Sequence, residues 1–383
     1  MGSASESPAP DSPEMAAALA AQQMMLLETL NGLYDDATLL VGRILCDRRG
    51  ATEVTALSVT LDGLELRLVD DEGEHHGLVP LPGTLNHIDE LFLLFFAMVI
   101  DARERSGEEG TTSVEQVIAT ARGYRTFITS VAAVEEVNPH LRKVTFRGGD
   151  LADGFAPVGP DTFLYLLLPP PGRTELTIGA DFSWESVRDM APEDQPVGAY
   201  YTLRAWRPET HELDVLMVLH GDTGPASAWA ARAAVGDPVA LWGPRTSWSP
   251  PADADSYLLV ADETGLPAVA VILETLGSDA PIQVVAEVDD ETVRQALPTG
   301  EHITVTWLHR DGAEAGTTTA LADAVRSLPP PTGTPYVWGG AESRAVTQVR
   351  RHVRGTWGLP KSQVSLVGYW RHKAHESDVD TEG

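Results

Sequence analysis

The chain has one cysteine, Cys46, among 383 residues. A single thiol excludes an internal disulfide framework, an iron–sulfur cluster and a cysteine-rich zinc site. It accords with a reducing compartment, and the chain reads as cytoplasmic. Basic residues are scarce too: 27 Lys and Arg stand against 56 Asp and Glu, a net charge of −29. Such a surface repels phosphate backbones and anionic bilayers, so neither nucleic acid nor membrane is expected as a partner. Long apolar runs are missing. The longest, LFLLFFAMVI (Leu91 to Ile100), falls short of the roughly 20 residues a spanning helix needs and reads as a buried core helix. The opening MGSASESPAPDSPE lacks the basic and apolar regions of a secretory signal and reads as a disordered tail. No Gly-x-Gly-x-x-Gly occurs, so the standard dinucleotide fingerprint is absent.

What is present falls into three blocks between tails at 1–14 and 374–383. Residues 15–110 read as a small α+β domain. A helical pattern, MAAALAAQQMMLLETLNGLY, ends at a polar stretch; alternating segments with turn signals at "LDG" and "DDEG" come next; a helix from "IDELFLLFFAMVIDARERSG" closes at Gly107. "RSGEEGTTS" reads as a linker. Residues 120–247 hold six short strands, YRTFITSVAAVEEV, RKVTFRG, DTFLYLLLPPPG, AYYTLRAW, ELDVLMVLHG and PVALWGP, the pattern of an antiparallel β-barrel. Residues 250–373 alternate strand and helix, with ETVRQAL among the expected helices, as in a doubly wound α/β domain. The fold class is therefore multidomain: a small α+β domain, a barrel and an α/β domain of nucleotide-binding type.

Chemistry concentrates at four places. In HGDTGPASAWAARA (His220 to Ala233) a strand ends at a Gly-rich turn and a helix begins near Pro225. Unpaired backbone N–H groups there make an anion site. Gly224 and Ala226 leave room for a pyrophosphate, and Ser227 adds a hydroxyl. The same residues also make an ordinary helix start with Pro at its first position. In AYYTLRAW, alternation puts Tyr200, Thr202 and Arg204 on one face and Tyr201 and Leu203 on the other. These types suit a flavin ring, and equally a plain strand. YLLVADETGLPAV and YVWGGAES are strand ends leading into helices, where ligands of parallel sheets bind. Asp262 and Glu263 either rim such a site or complement a helix dipole. The acids of AEVDDE (Ala286 to Glu291) disfavour a 2′-phosphate and lean towards NADH. SRAVTQVRRHVRG sets Arg344 and Arg351 on one face, with Arg350 and Arg354 near, to meet an anionic ligand or to complement the helix dipole.

Together, YYTLR, LHGDTGPASAWA, GDPVALWGP, LLVADETGLPAV, YVWGGAES and GYWR, in this order over residues 120 to 372, resemble the siderophore-interacting protein family, ferredoxin-reductase-like and FAD-dependent ferric-siderophore reductases. The resemblance implies FAD contacts from Tyr201, Thr202, Arg204, His220, Gly224, Ala226, Ser227 and Trp370, with Tyr369 closing over the cofactor and Arg371 ending that strand. It implies an NAD(P)H pocket bordered by Asp262, Glu263, Thr264, Pro267, Trp338, Gly339 and Glu342, and no resident metal. The chain departs from the family pattern in three places. Ala199 stands where an Arg anchors the pyrophosphate, with Arg204 as a substitute; Gly265 replaces an Ala; WGGAE replaces WAAGE. A basic residue after GYWR remains as Lys373. The N-terminal block resembles a small domain fused to haem-utilisation proteins. Its LNGLYDDA keeps Asn31 and lacks both histidines of that domain's His-Met-Asn-x-x-His-like signature; His75, His76 and His87 remain.

Two functions emerge as expectations. The first is a flavin-dependent oxidoreductase that reduces a ferric siderophore or other ferric chelate, with electrons from NAD(P)H or an external donor. The alternative is a non-redox FAD- or ligand-binding homologue acting as a cyclase or tailoring protein.

Overall fold

A computed structural model describes residues 13–85, 88–108, 110–121, 124–188, 190–219, 224–277 and 280–372. The chain divides into two compact units, one within Met1–Gly123 and the other within Tyr124–Glu376. No helix among the described residues is long and apolar enough to cross a membrane.

The first unit is an antiparallel sheet, β1 (Glu53–Thr60), β2 (Gly63–Asp70) and β3 (Gly73–Val79), packed by helices α1 (Pro13–Glu28), α2 (Asp35–Leu45), α3 (Leu91–Ser106) and α4 (Ser113–Ala121). Both hairpins fall at the expected turns. In β2, Leu64, Leu66 and Leu68 alternate into the core while Glu65 and Arg67 face out. In α3, Leu91, Phe95, Met98, Val99 and Ala102 share the buried face, and left-handed Gly107 ends the helix. Two helices were missed in the sequence: α2, which comes almost at once after α1, and α4, which begins inside the expected linker. Asn31 has a structural task. Its amide accepts from Ala56 N (2.7 Å) and donates to Ala56 O (2.9 Å), pairing the free edge of β1 where a neighbouring strand would lie. His75 is paired with Asp70 (2.9 Å), and the nearby Asp70, Glu72 and His75 already hold a cation, the Arg48 guanidinium, 3.0 Å from Glu72. His87 lies outside the described residues.

The second unit opens with a closed six-stranded antiparallel barrel in the order β4-β5-β8-β7-β6-β9. Its strands are β4 (Arg125–Asn138), β5 (Leu141–Arg147), β6 (Phe163–Leu168), β7 (Val197–Arg207), β8 (Glu212–Val218) and β9 (Pro238–Arg245). Short α5 (Trp184–Arg188) lies between β6 and β7, and α6 (Pro225–Arg232) packs on the barrel through Ala226, Trp229 and Ala230. Next comes a parallel sheet in the order β12-β11-β10-β13-β14: β10 (Ser256–Ala261), β11 (Ile282–Val288), β12 (Ile303–His309), β13 (Pro335–Glu342) and β14 (Val364–Trp370). Helix α7 (Leu266–Leu276) covers one face; α8 (Ala320–Arg326) and α9 (Ser343–Arg351) cover the other. Burial on both faces explains the nearly continuous apolar runs of these strands. One expected helix is not there. ETVRQAL makes only a 3₁₀ turn, Glu291–Val293, capped by Asp290, because Pro298 and Gly300 leave no length for a longer helix.

Asp161, in the loop before β6, ties barrel to sheet. Its buried carboxylate accepts from Ser247 N (3.0 Å), Trp248 N (3.3 Å), the hydroxyls of Thr246 and Ser247, and Trp338 Nε1 of β13 (3.0 Å). Asp161→Asn turns one acceptor into a donor facing donors. We expect a loss of about 2–3 kcal/mol in urea unfolding, with a stability equal to wild type contradicting the assignment.

Candidate flavin and nucleotide site

The β7 strand presents two chemistries, as alternation requires. Ala199 and Tyr201 lie opposite Leu166 and Leu164 of β6 and pack against the barrel core, and burial pushes the Tyr201 hydroxyl up to about 12. Tyr200 and Thr202 share the other face with Tyr165 and Phe163. Tyr200 is 47% exposed and meets Tyr165 and Phe163 edge-on, at 4.8 and 5.5 Å. Sequence reasoning missed Arg245 at the end of β9. Its guanidinium lies over Tyr124 (4.2 Å), Trp242 (4.3 Å) and Tyr200 (5.2 Å) and bonds to the Tyr200 hydroxyl. Aromatic neighbours of this kind are visible in a sequence only when the strands that bring them together are already paired. Arg204 does not replace the anchor missing at Ala199. Both of its terminal nitrogens donate to Glu274 of α7, at 2.7 and 3.1 Å, so the guanidinium is already committed.

At the start of α6, Gly224 is extended and supplies no side-chain cap; Pro225 opens the helix, and Ala226 and Ser227 are buried behind it. His220 lies outside the described residues, as does Lys373.

At the carboxyl ends of the parallel strands, Asp262 gathers four donors. Thr264 N (2.8 Å) and the Thr264 hydroxyl bind one oxygen; Glu342 N (2.9 Å) and Trp370 Nε1 (2.7 Å) bind the other. Glu342 caps α9 through Arg344 N (2.7 Å) and Ala345 N, and holds His372 N (3.2 Å). Asp262, Thr264, Glu342 and Trp370 are thus brought together. Glu263 turns to Arg310 (2.6 Å), and Pro267 is buried inside α7. Trp338 is a correction. It is fully buried, with its indole N–H spent on Asp161, so its ring lies in the core and offers no face to a nicotinamide. Gly339 lies beside it in a strand with no exposed residue; a Cβ there would meet Val260 O at 2.7 Å. Arg371 comes directly after the end of β14 and is exposed.

The glycine departures explain each other. A Cβ on Gly265 would meet Gly340 O at 2.0 Å, and one on Gly340 would meet the Tyr369 ring at 2.7 Å. The turn into α7 and the end of β13 therefore approach backbone to backbone, and Tyr369 settles over the gap. Its hydroxyl faces that of Thr202 from the barrel. Both are shut from solvent and lie within reach of each other, and burial pushes the Tyr369 hydroxyl up.

These features fit a flavin. The Thr202 hydroxyl of the barrel meets the Tyr369 hydroxyl of the sheet at their junction, on the strand face that carries the aromatic pair Tyr200 and Tyr165, and α6 packs against the same strand, β7. The comparisons agree. Residues 130–248 match the siderophore-interacting FAD-binding domain, and residues 254–373 match the siderophore-interacting protein model. A solved siderophore utilization protein from T. fusca is 32% identical, with a TM-score of 0.58 over 65% of this chain and 94% of its own. The chain belongs to the siderophore-interacting protein family. The family member SipS from Aeromonas hydrophila is 30% identical, with a TM-score of 0.55 over 65% of this chain and 92% of its own. Ferric vibriobactin reductase ViuB of Vibrio cholerae is 29% identical over 250 residues, which cover 64% of this chain and 89% of ViuB. Within this siderophore-interacting protein, the FAD-binding domain is the barrel and the second matched segment is the parallel sheet with its helices.

Burial pushes the Asp262 carboxyl up to about 6, outweighing its donors. A carboxyl that holds its proton more tightly when folded stabilises the fold at acid pH, and that contribution is lost as pH rises through about 6. Wild type measured against Asp262→Asn should therefore lose roughly 2 kcal/mol of unfolding free energy between pH 4 and 7. A difference that stays flat over this range contradicts the burial argument.

Proposed function

We propose that this chain is a flavin-dependent reductase of ferric siderophores or related ferric chelates, acting in a reducing cytoplasm, with electrons from NAD(P)H or an external donor. The observation that carries it is the junction where Thr202 of an FAD-binding barrel meets Tyr369 of a nucleotide-type sheet. ViuB, named for ferric vibriobactin, supplies the substrate class. A bound flavin supplies the change from paired to single electrons that a ferric ion requires. The protein's share is position and electrostatics: Tyr201 and Thr202 hold the ring, the start of α6 holds phosphates, and Tyr369 and Trp370 exclude water. Arg245, ringed by aromatics and with no carboxylate partner among the described residues, is a barrel cation suited to an anionic chelate. Ferrous iron binds hard oxygen chelators weakly, so reduction frees the metal with no acid, base or nucleophile needed.

The purified protein should be yellow or take up FAD, and NADH or NADPH should bleach its flavin bands anaerobically. A colourless protein that takes up no FAD sinks the proposal. A second reading, a ligand-binding homologue without turnover, draws on Ala199 and the committed Arg204, which leave the phosphates one anchor short. Flavin that binds and resists every donor would favour it. Ala199→Arg restores a charge-assisted bond worth about 1.5–3 kcal/mol, so FAD should bind about tenfold tighter or better by fluorescence titration. Unchanged or weaker binding would place residue 199 away from the phosphates.

A further inference from the structure

The carboxyl edge of the parallel sheet carries a buried ion cluster that the redox reading leaves unused. Arg310, just past β12, reaches across the sheet. Its NH2 and NH1 nitrogens meet Glu263, past β10, at 2.6 and 3.0 Å; NH1 lies 3.7 Å from Glu287 of β11. The Arg310 side chain is 7% exposed and that of Glu287 6%, and the Thr318 hydroxyl donates to Glu287 (2.6 Å). The Nε of Arg310 is buried with no partner. A second guanidinium at this edge, Arg294, is committed as well. Its Nε and NH2 meet His309 Nε2 at 3.1 and 2.9 Å, it lies over Trp307 (5.4 Å), and its remaining nitrogen faces Glu291 (3.4 Å).

Ligands of open parallel sheets lie beyond these strand ends. A 2′-phosphate arriving there carries close to two negative charges and needs an uncommitted guanidinium or ammonium. At the ends of β10, β11 and β12, the described residues offer two guanidinium groups, both engaged, and surround them with Glu263, Glu287, Asp289 and Asp290. Opening the Arg310–Glu263 fork to bind a phosphate would leave a carboxylate beside Glu287 without its counter-charge, in a site that water barely reaches.

We propose that Glu263 and Glu287 determine nucleotide choice by locking Arg310: the edge accepts a pyridine dinucleotide with a free 2′-hydroxyl, NADH, and rejects the 2′-phosphorylated form. This rests on the reading of the sheet as the donor site in the proposed function. The lock is a property of three side chains from three adjacent strand ends. It needs no basic residue to be missing, since the basic residue is present and occupied.

The test is calorimetric binding of 5′-AMP and 2′,5′-ADP, which differ only by the 2′-phosphate, to the full FAD-loaded chain. The wild type should bind 5′-AMP at least about tenfold tighter, the loss expected when one charge-assisted contact is unavailable. Glu263→Gln keeps volume and loosens Arg310, with Glu287 as its remaining counter-charge, and should narrow that gap by tightening 2′,5′-ADP alone. Equal or tighter wild-type binding of 2′,5′-ADP overturns the proposal, without recourse to any variant. So does a Glu263→Gln protein that melts normally and keeps the wild-type ratio. If neither nucleotide binds while the flavin bands remain, the sheet is not a nucleotide site and this inference fails, whereas the flavin half of the proposed function stands.

Discussion

Asp161 is a single buried carboxylate on which the geometry of the catalytic unit depends. Its donors come from the loop after β9 and from Trp338 in the middle of the parallel sheet. A carboxylate inside protein persists only when its lone pairs are filled, and here the filling groups belong to both halves of the unit. The hydrogen bonds therefore set the distance between barrel and sheet as well as stabilising each. The same contact decides the fate of Trp338, whose indole is drawn into the core and away from the site surface.

With that spacing fixed, the site between the halves arises from close approach. Gly265 lets the turn into α7 touch β13, and Gly340 lets Tyr369 lie over that contact. The Tyr369 hydroxyl then reaches that of Thr202 in the barrel. Beside them Asp262 fixes the indole of Trp370, and Glu342 fixes the chain just beyond it, so the end of β14 is held on two separate anchors. A reductase of bound chelates needs this rigidity more than it needs reactive side chains, because electron transfer responds to distance and environment.

Much of this was legible in the sequence, and the reasons are local. Six barrel strands showed themselves by alternation between Gly- and Pro-rich turns, and the sheet by apolar runs set between helical patterns. The flavin and nucleotide segments were found by their order along the chain. What escaped were long-range partnerships. Asp161 sits in an ordinary Gly-Pro-Asp-Thr turn, and its Trp338 partner is 177 residues away. Nothing near Arg204 announces Glu274, 70 residues on, so its expected role as a phosphate anchor went to an ion pair instead. Helix α2 was hidden because it starts almost as soon as α1 ends, while ETVRQAL carries helix-forming residues and is cut short by Pro298 and Gly300. Gly265 and Gly340 stood in the sequence as departures from the family pattern; in the structure they are one fitted contact.

The central claim is that this scaffold hands electrons to chelated ferric iron. Its most direct test is a single turnover. The FAD-loaded protein is chemically reduced without oxygen and mixed rapidly with a ferric siderophore in the presence of a ferrous trap. Flavin absorbance should return as the trap fills, with two ferrous ions captured for each flavin reoxidised. Flavin that stays reduced in the presence of excess ferric siderophore, with no ferrous ion trapped, would contradict the account.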